Sequence, residues 1–146
     1  MIDFDLTGTI EKLESDYRGD ADEYYSGLVK TCHTLRKKPL KDFTVEDLRI
    51  MIGQNIGLKY LIPLAVNELD INILSEGDYY EGDLLSNVLS SDENYWRENE
   101  NERNRILQII KDGRKAVKEF DTTREIKRGL LHLIDKFTAI YRANTL

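Results

Sequence analysis

The densest group of side chains able to do chemistry lies in Glu76-Gly77-Asp78-Tyr79-Tyr80-Glu81-Gly82-Asp83-Leu84-Leu85, where carboxylates, tyrosines and glycines crowd into one short stretch. Asp78, Glu81 and Asp83 offer the hard oxygen ligands that Mg²⁺ or Ca²⁺ takes, and a metal-dependent hydrolase built on them is the sharpest catalytic reading. The spacing argues against it. An EF-hand loop needs a glycine at its sixth position and a glutamate at its twelfth, and neither is in place. Phosphate chemistry on bound metal also wants cations nearby, yet Arg97 is the one basic residue between positions 66 and 102. A solvated loop whose Asp83 caps the following helix, or a loop that binds a partner, fits the same residues.

Other catalytic groupings are missing. His33 and His132 are the only histidines, and with Cys32 they fall short of the four ligands at recognisable spacing that a structural zinc site uses. The lone cysteine cannot form an internal disulfide and falls on the apolar side of a helical pattern, so it reads as a buried, inert thiol in a reducing cytoplasm. No phosphate-binding loop, dinucleotide fingerprint or nucleophile elbow occurs. The expectation is a protein without enzymatic activity, cofactor or metal.

Charge is distributed unevenly along the 146 residues. The net charge is −6, but residues 1–65 sum to −2, residues 66–102 to −10 and residues 103–146 to +6. The central segment repels phosphate, which excludes it as a nucleic-acid surface and suits it to a basic partner. Tyr79, Tyr80, Tyr95 and Trp96 interleave with that charge, and such residues anchor interfaces because they bury much area and keep a polar edge. Tyr80 and Trp96 read as core residues, Tyr79 as exposed. The candidate partner contacts, chosen for charge density and expected exposure, are Glu76, Asp78, Tyr79, Glu81, Asp92, Glu93, Tyr95, Glu98 and Glu102. A helical adaptor using the basic Arg114, Lys115, Lys118, Arg124 and Lys127 is a further alternative.

The elements that must position these residues are helical. Hydrophobic residues make up 40% of the chain, with two prolines and nine glycines, which fits one domain over residues 1–146. No apolar run approaches the roughly 20 residues of a membrane span, and the start Met1-Ile2-Asp3-Phe4-Asp5 lacks signal-peptide character. Leu6, Ile10 and Leu13 suggest a short opening helix. Asp20 or Asp22 caps a second one to about Leu35, with Tyr25, Leu28, Val29, Cys32 and Leu35 as its buried stripe. Thr44 and Asp47 make a near capping box for the next, whose buried stripe is Val45, Leu48, Met51 and Ile52. Pro63 must kink the following helix or start a fresh one. Leu84, Leu85, Val88 and Leu89 form a short helix after the acidic loop. A long helix from about Glu93 to Lys111 is interrupted by Gly113, and Ile126, Leu130, Ile134, Phe137 and Tyr141 stripe the last one. No strict alternation survives beyond a few residues. The expected fold is all-α, a compact single-domain bundle of about six to eight helices.

Two runs in residues 35–89 carry a resemblance. Leu35-Arg36-Lys37-Lys38-Pro39-Leu40, Phe43-Thr44-Val45-Glu46-Asp47-Leu48-Arg49, Gly53-Gln54-Asn55-Ile56-Gly57-Leu58 and Leu61-Ile62-Pro63-Leu64-Ala65, followed by Glu76 to Leu85, resemble a family of bacterial immunity proteins from contact-dependent growth inhibition (CDI) systems. The matching residues are mostly apolar residues, glycines and helix caps, the kind that specify a fold. The resemblance implies a small cytoplasmic protein encoded beside a large toxin-bearing exoprotein. It implies that the chain neutralises the exoprotein's C-terminal toxin, a nuclease with RNase the expected class, by occluding its basic active site. Neither nucleic acid nor membrane is an expected partner.

Overall fold

Side chains that satisfy free amide groups decide where most helices begin. Thr9 accepts from the Lys12 amide to open α1 (Ile10–Glu14), and Ser26 accepts from Val29 to open α2 (Gly27–Leu35). Thr44 and Asp47 form a reciprocal capping box at the head of α3 (Val45–Gly53), as their spacing predicts. Gly57 leads into α4 (Leu58–Ile71) and Gly82 into α5 (Asp83–Leu89), both at left-handed backbone angles that suit glycine. Asp92 caps α6 (Glu93–Glu98), α7 (Glu100–Glu119) follows, and Thr123 accepts from Ile126 in the first turn of α8 (Arg124–Arg142).

The computed structural model describes residues 2–142. Among these residues the regular structure is these eight helices, a 3-10 turn at Leu40–Asp42 and a lone antiparallel bridge between Glu76 and Glu81. The fold is therefore all-α, at the upper end of the expected helix number. No helix among the described residues is long and apolar enough to cross a membrane.

The core is organised around α5, whose Asp83, Leu84, Leu85, Val88 and Leu89 are all buried. A helix buried on nearly every side must be enclosed by others, and α3, α4 and α8 pack against it, with α7 closing the bundle over α4 and α8. Trp96 is fully buried against Phe137, with ring centroids 5.1 Å apart, and its indole N–H donates to Ser91 Oγ at 3.0 Å. The acidic loop thus feeds straight into the central helix.

Three departures from the sequence-based expectation have physical causes. First, no fresh helix starts at Pro63, which lies in the second turn of α4; the carbonyl deprived of a donor is that of Lys59, at the exposed head of the helix. Second, the helix that opens at Glu93 ends at Glu98. Asn99 leaves helical geometry at φ −123° and ψ 74°, and the carbonyls freed there are taken up by side chains: Asn99 Nδ2 donates to Tyr95 O at 2.7 Å and Arg103 Nη1 to Trp96 O at 3.0 Å. Third, Gly113 does not interrupt α7. It sits against Ile73, and a Cβ at that position would overlap the Ile73 side chain, so the glycine serves close packing.

This geometry separates two glycines that propensity alone treats alike. Gly129, on the exposed side of α8, has open space where a Cβ would be, so Gly129→Ala is expected to stabilise the protein by about 0.5–1 kcal/mol. Gly113→Ala is expected to destabilise it by about 1–2 kcal/mol despite the same gain in propensity. Trimming Ile73 to Val in that background should recover part of the loss. Urea unfolding of the three variants measures the signs, and a stabilising Gly113→Ala contradicts the packing.

Candidate functional site

Four consecutive amides of the acidic loop point at two inward-turned carboxylates. The Gly77 amide donates to Asp83 Oδ1 at 2.6 Å, Asp78 to Glu46 Oε1 at 2.9 Å, and Tyr79 and Tyr80 to Asp83 Oδ2 at 3.1 and 3.4 Å. Runs of backbone N–H groups make such anion-holding concavities, and here the anions are the chain's own. Asp83 is buried, the first residue of α5, and spends both oxygens on the loop instead of capping its helix, which corrects the capping role expected for it. Glu46 reaches over from the first turn of α3. Gly77 must lack a side chain, because a Cβ there would lie 2.5 Å from Glu46 Oε1 and 3.1 Å from Asp83 Oδ2.

Arg49 keeps the two anions together. Its Nε and Nη2 donate to Glu46 at 2.6 Å each, its Nε lies 3.8 Å from Asp83, and its guanidinium stacks 4.3 Å from the centre of the Tyr79 ring. The Arg49 guanidinium, aided by the Asp78 amide, holds the Glu46 carboxyl below its ordinary value against the opposing effect of burial. Tyr79 remains 72% exposed, a large ring fixed on a charged base.

The nine candidate contacts fall into three groups. Glu76, Asp78, Tyr79 and Glu81 are exposed on the loop, as expected, and the loop docks at the Glu46 end of α3. Asp92 and Glu93 are exposed at the head of α6, which docks beyond the other end of α3, where the Asp92 amide donates to Asn55 Oδ1 at 2.9 Å. Seven helical residues, a rise of about 10 Å, lie between these docking points. Glu98 is exposed, but Tyr95 and Glu102 are buried, contrary to the exposure expected of them. Tyr95 packs edge-on against Trp96, with centroids 5.1 Å apart, and burial together with the nearby Glu102 charge pushes its phenol far up, so it stays neutral. These three residues meet in a groove of about 670 Å³ between α4, the α6–α7 junction and the N-terminal segment.

A different surface went unread in the sequence. The chain before α2 is irregular, the helix starts only at Ser26, and Tyr25, Leu28 and Val29 of its expected stripe lie exposed while Cys32 and Leu35 are buried. Tyr17 and Tyr24 are also exposed, 67% and 88%, in a stretch that carries Asp20, Asp22 and Glu23. The signal was present: tyrosines interleaved with carboxylates, the pattern that singled out the acidic loop. Cys32 is buried, and that burial raises its thiol pKa. Among the basic residues, Arg114 pairs with Asp135 at 3.3 Å, and Lys127 lies 5.9 Å from the Phe120 ring.

The hydrolase alternative meets a geometric objection. Asp83 is occupied by loop amides, and among the described residues no three His, Cys, Asp or Glu side chains are grouped to hold a metal ion.

The network makes the loop's rigidity testable. Asp83→Asn turns a donor toward donating amides and is expected to cost about 2–3 kcal/mol, with hydrogen exchange accelerated at Gly77 and Tyr79. Glu46, held below its ordinary value of 4.5, contributes stability that is complete above that pH and lost as pH falls toward the folded value. Glu46→Gln should therefore be less stable than the parent at neutral pH, and the gap should narrow as pH is taken down through the folded value, which lies below 4.5. Parallel unfolding curves across that pH range check it, and a gap independent of pH refutes the ion-pair account.

A family model described as CDI immunity proteins matches residues 12–106, which takes in the end of α1, α2 to α6, the acidic loop and the first turns of α7. Neither a curated protein nor a solved structure matches the chain. The match includes the loop, the carboxylates that hold it and Arg49, and it spans well over half of the sequence. The chain belongs to the CDI immunity proteins.

Proposed function

We propose that this chain, acting as one domain in the cytoplasm, binds the C-terminal toxin domain of a cognate CDI exoprotein and blocks it without catalysis. The toxin is a nuclease, in the first instance an RNase, and inhibition works by covering its basic active site. Membership of the immunity family supports a toxin as partner. The observation that carries the finer reading is the acidic loop itself: Glu76, Asp78 and Glu81 project outward from a backbone fixed by Asp83, Glu46 and Arg49. An RNA-cleaving site must be cationic to hold phosphates. Carboxylates held in fixed positions imitate those phosphates and accelerate encounter through long-range attraction. Tyr79, braced by Arg49, adds an aromatic contact to the same face.

The test is a titration of the purified chain against the toxin domain encoded by the neighbouring gene. A complex at low micromolar concentration in ordinary salt, with loss of toxin activity at one-to-one stoichiometry, is the expected result; no complex ends the proposal. Reversing Asp78 and Glu81 to lysine should slow association roughly tenfold and flatten its salt dependence. Unchanged association rates would move the interface off the acidic loop while leaving toxin binding in place.

A further inference from the structure

We infer that the outer face of α8 docks the acidic loop of a second copy of this chain, and that the second copy returns the same contact. The inference concerns the chain alone and stands apart from toxin binding. Leu130 faces the core from α8, and Arg128 and His132 stand roughly 160° round the helix from it. Two shallow recesses of about 450 and 410 Å³ open on that outer side, and Arg124, Arg128 and His132 border both. Leu131 lines one of them, and Gly129, with open space where a Cβ would be, lines the other.

The charges on this face are unused within the molecule. Arg18, Arg36, Arg49, Arg97, Arg105 and Arg114 each pair with a carboxylate. Among the described residues Arg124, Lys127 and Arg128 make no ion pair, and neither do the exposed Glu76, Asp78 and Glu81 of the loop. Yet the two sets are neighbours. Gly82, where the loop ends, packs on Leu130, and a Cβ there would lie 2.7 Å from Leu130 Cδ1. The loop therefore meets α8 at the level of Leu130, and the basic face is the far side of the same helix, about 10 Å away. A copy turned about a two-fold axis can lay its loop on this face while receiving the first copy's loop on its own, the self-complementary arrangement of closed dimers.

The charge pattern favours a second copy over a polyanion. A polyphosphate lying along α8 would run past the −10 segment and be repelled. A partner acidic in one region and basic in another meets both surfaces, and this chain, at −10 over residues 66–102 and +6 over residues 103–146, is such a partner. Screened ion pairs set the orientation. The Tyr79 ring, 72% exposed and braced by Arg49, supplies apolar area to lay over Leu131 and the bare backbone at Gly129. On the toxin reading, toxin and second copy compete, because both cover the same carboxylates.

Sedimentation velocity of the full chain tests the pairing. At about 100 µM a dimer is expected in low salt and a monomer near about 0.5 M salt, where the screening length is only a few ångströms. A monomer in low salt, or a dimer indifferent to salt, overturns the inference. Asp78→Lys with Glu81→Lys, and separately Arg124→Glu with Arg128→Glu, should each weaken dimerisation by at least roughly tenfold. An equimolar mixture of the two reversed proteins should restore it, since their faces match again. A dimer that survives either reversal, or no recovery on mixing, overturns the inference. Should a reversed variant fail to fold, a mixture of isotope-labelled and unlabelled unaltered chain decides: intermolecular NOEs between the Tyr79 ring and the Leu131 methyls support the pairing, and a dimer without them overturns it. Failure here leaves toxin binding standing, and a chain that binds no toxin leaves the pairing standing.

Discussion

The structure depends on closing four adjacent backbone amides onto two side-chain carboxylates. Buried or half-buried N–H groups must find acceptors, and a loop containing Gly77 and Gly82 has little intrinsic order to arrange them. Asp83 and Glu46 supply the acceptors from two different helices, so the loop's conformation is tied to the packing of α3 on α5. The two negative charges would repel each other without Arg49, which donates to one and stands 3.8 Å from the other. Removing any of these residues leaves the others with unpaired charge in a poorly solvated place, where the cost is highest. Gly77, Asp83, Glu46 and Arg49 therefore specify how the loop is mounted.

With the inward carboxylates committed to the fold, the outward ones are free for long-range work. Exposed ion pairs contribute about 1 kcal/mol or less each because water screens them. Their summed field is another matter, since a −10 segment attracts a basic partner over distances comparable to the screening length. Fast encounter and tight retention therefore call for different residues. Retention calls for groups that lose water on binding, and exposed rings such as Tyr17, Tyr24 and Tyr79 have more apolar area to bury than the solvated glutamates.

Helix identity and the core stripes were legible because periodicity reports burial directly: Leu130, Ile134, Phe137 and Tyr141 are buried as their spacing requires. The capping box at Thr44 was legible because it is local. What could not be read was anything set by a distant neighbour. Gly113 looks like a breaker until Ile73 is placed against it. Tyr25, Leu28 and Val29 have helical spacing, but among the described residues no element covers them. Asp83 satisfies the sequence rule for a helix cap, and only the folded loop reveals its stronger use. Tyr95 and Glu102 looked exposed because the surrounding sequence is charged; the direction of each depends on where the helix breaks.

That break has a geometric consequence. Glu98, Asn99, Glu100, Asn101 and Glu102 all line one groove. In an uninterrupted α-helix, successive residues are turned by about 100°, so five in a row point all round the axis and cannot share a face. The extended Asn99 breaks that rotation, ending one helix and starting another in a new direction. Arg103 makes the junction affordable: buried, it donates to the carbonyls of Trp96 and Arg97 at the end of α6, where a cation is favoured. The first basic residue after the acidic segment is thus buried inside the junction. The carboxylates it might have neutralised are left facing the groove, and the interruption that looks like a flaw in a long amphipathic helix is what gathers them there.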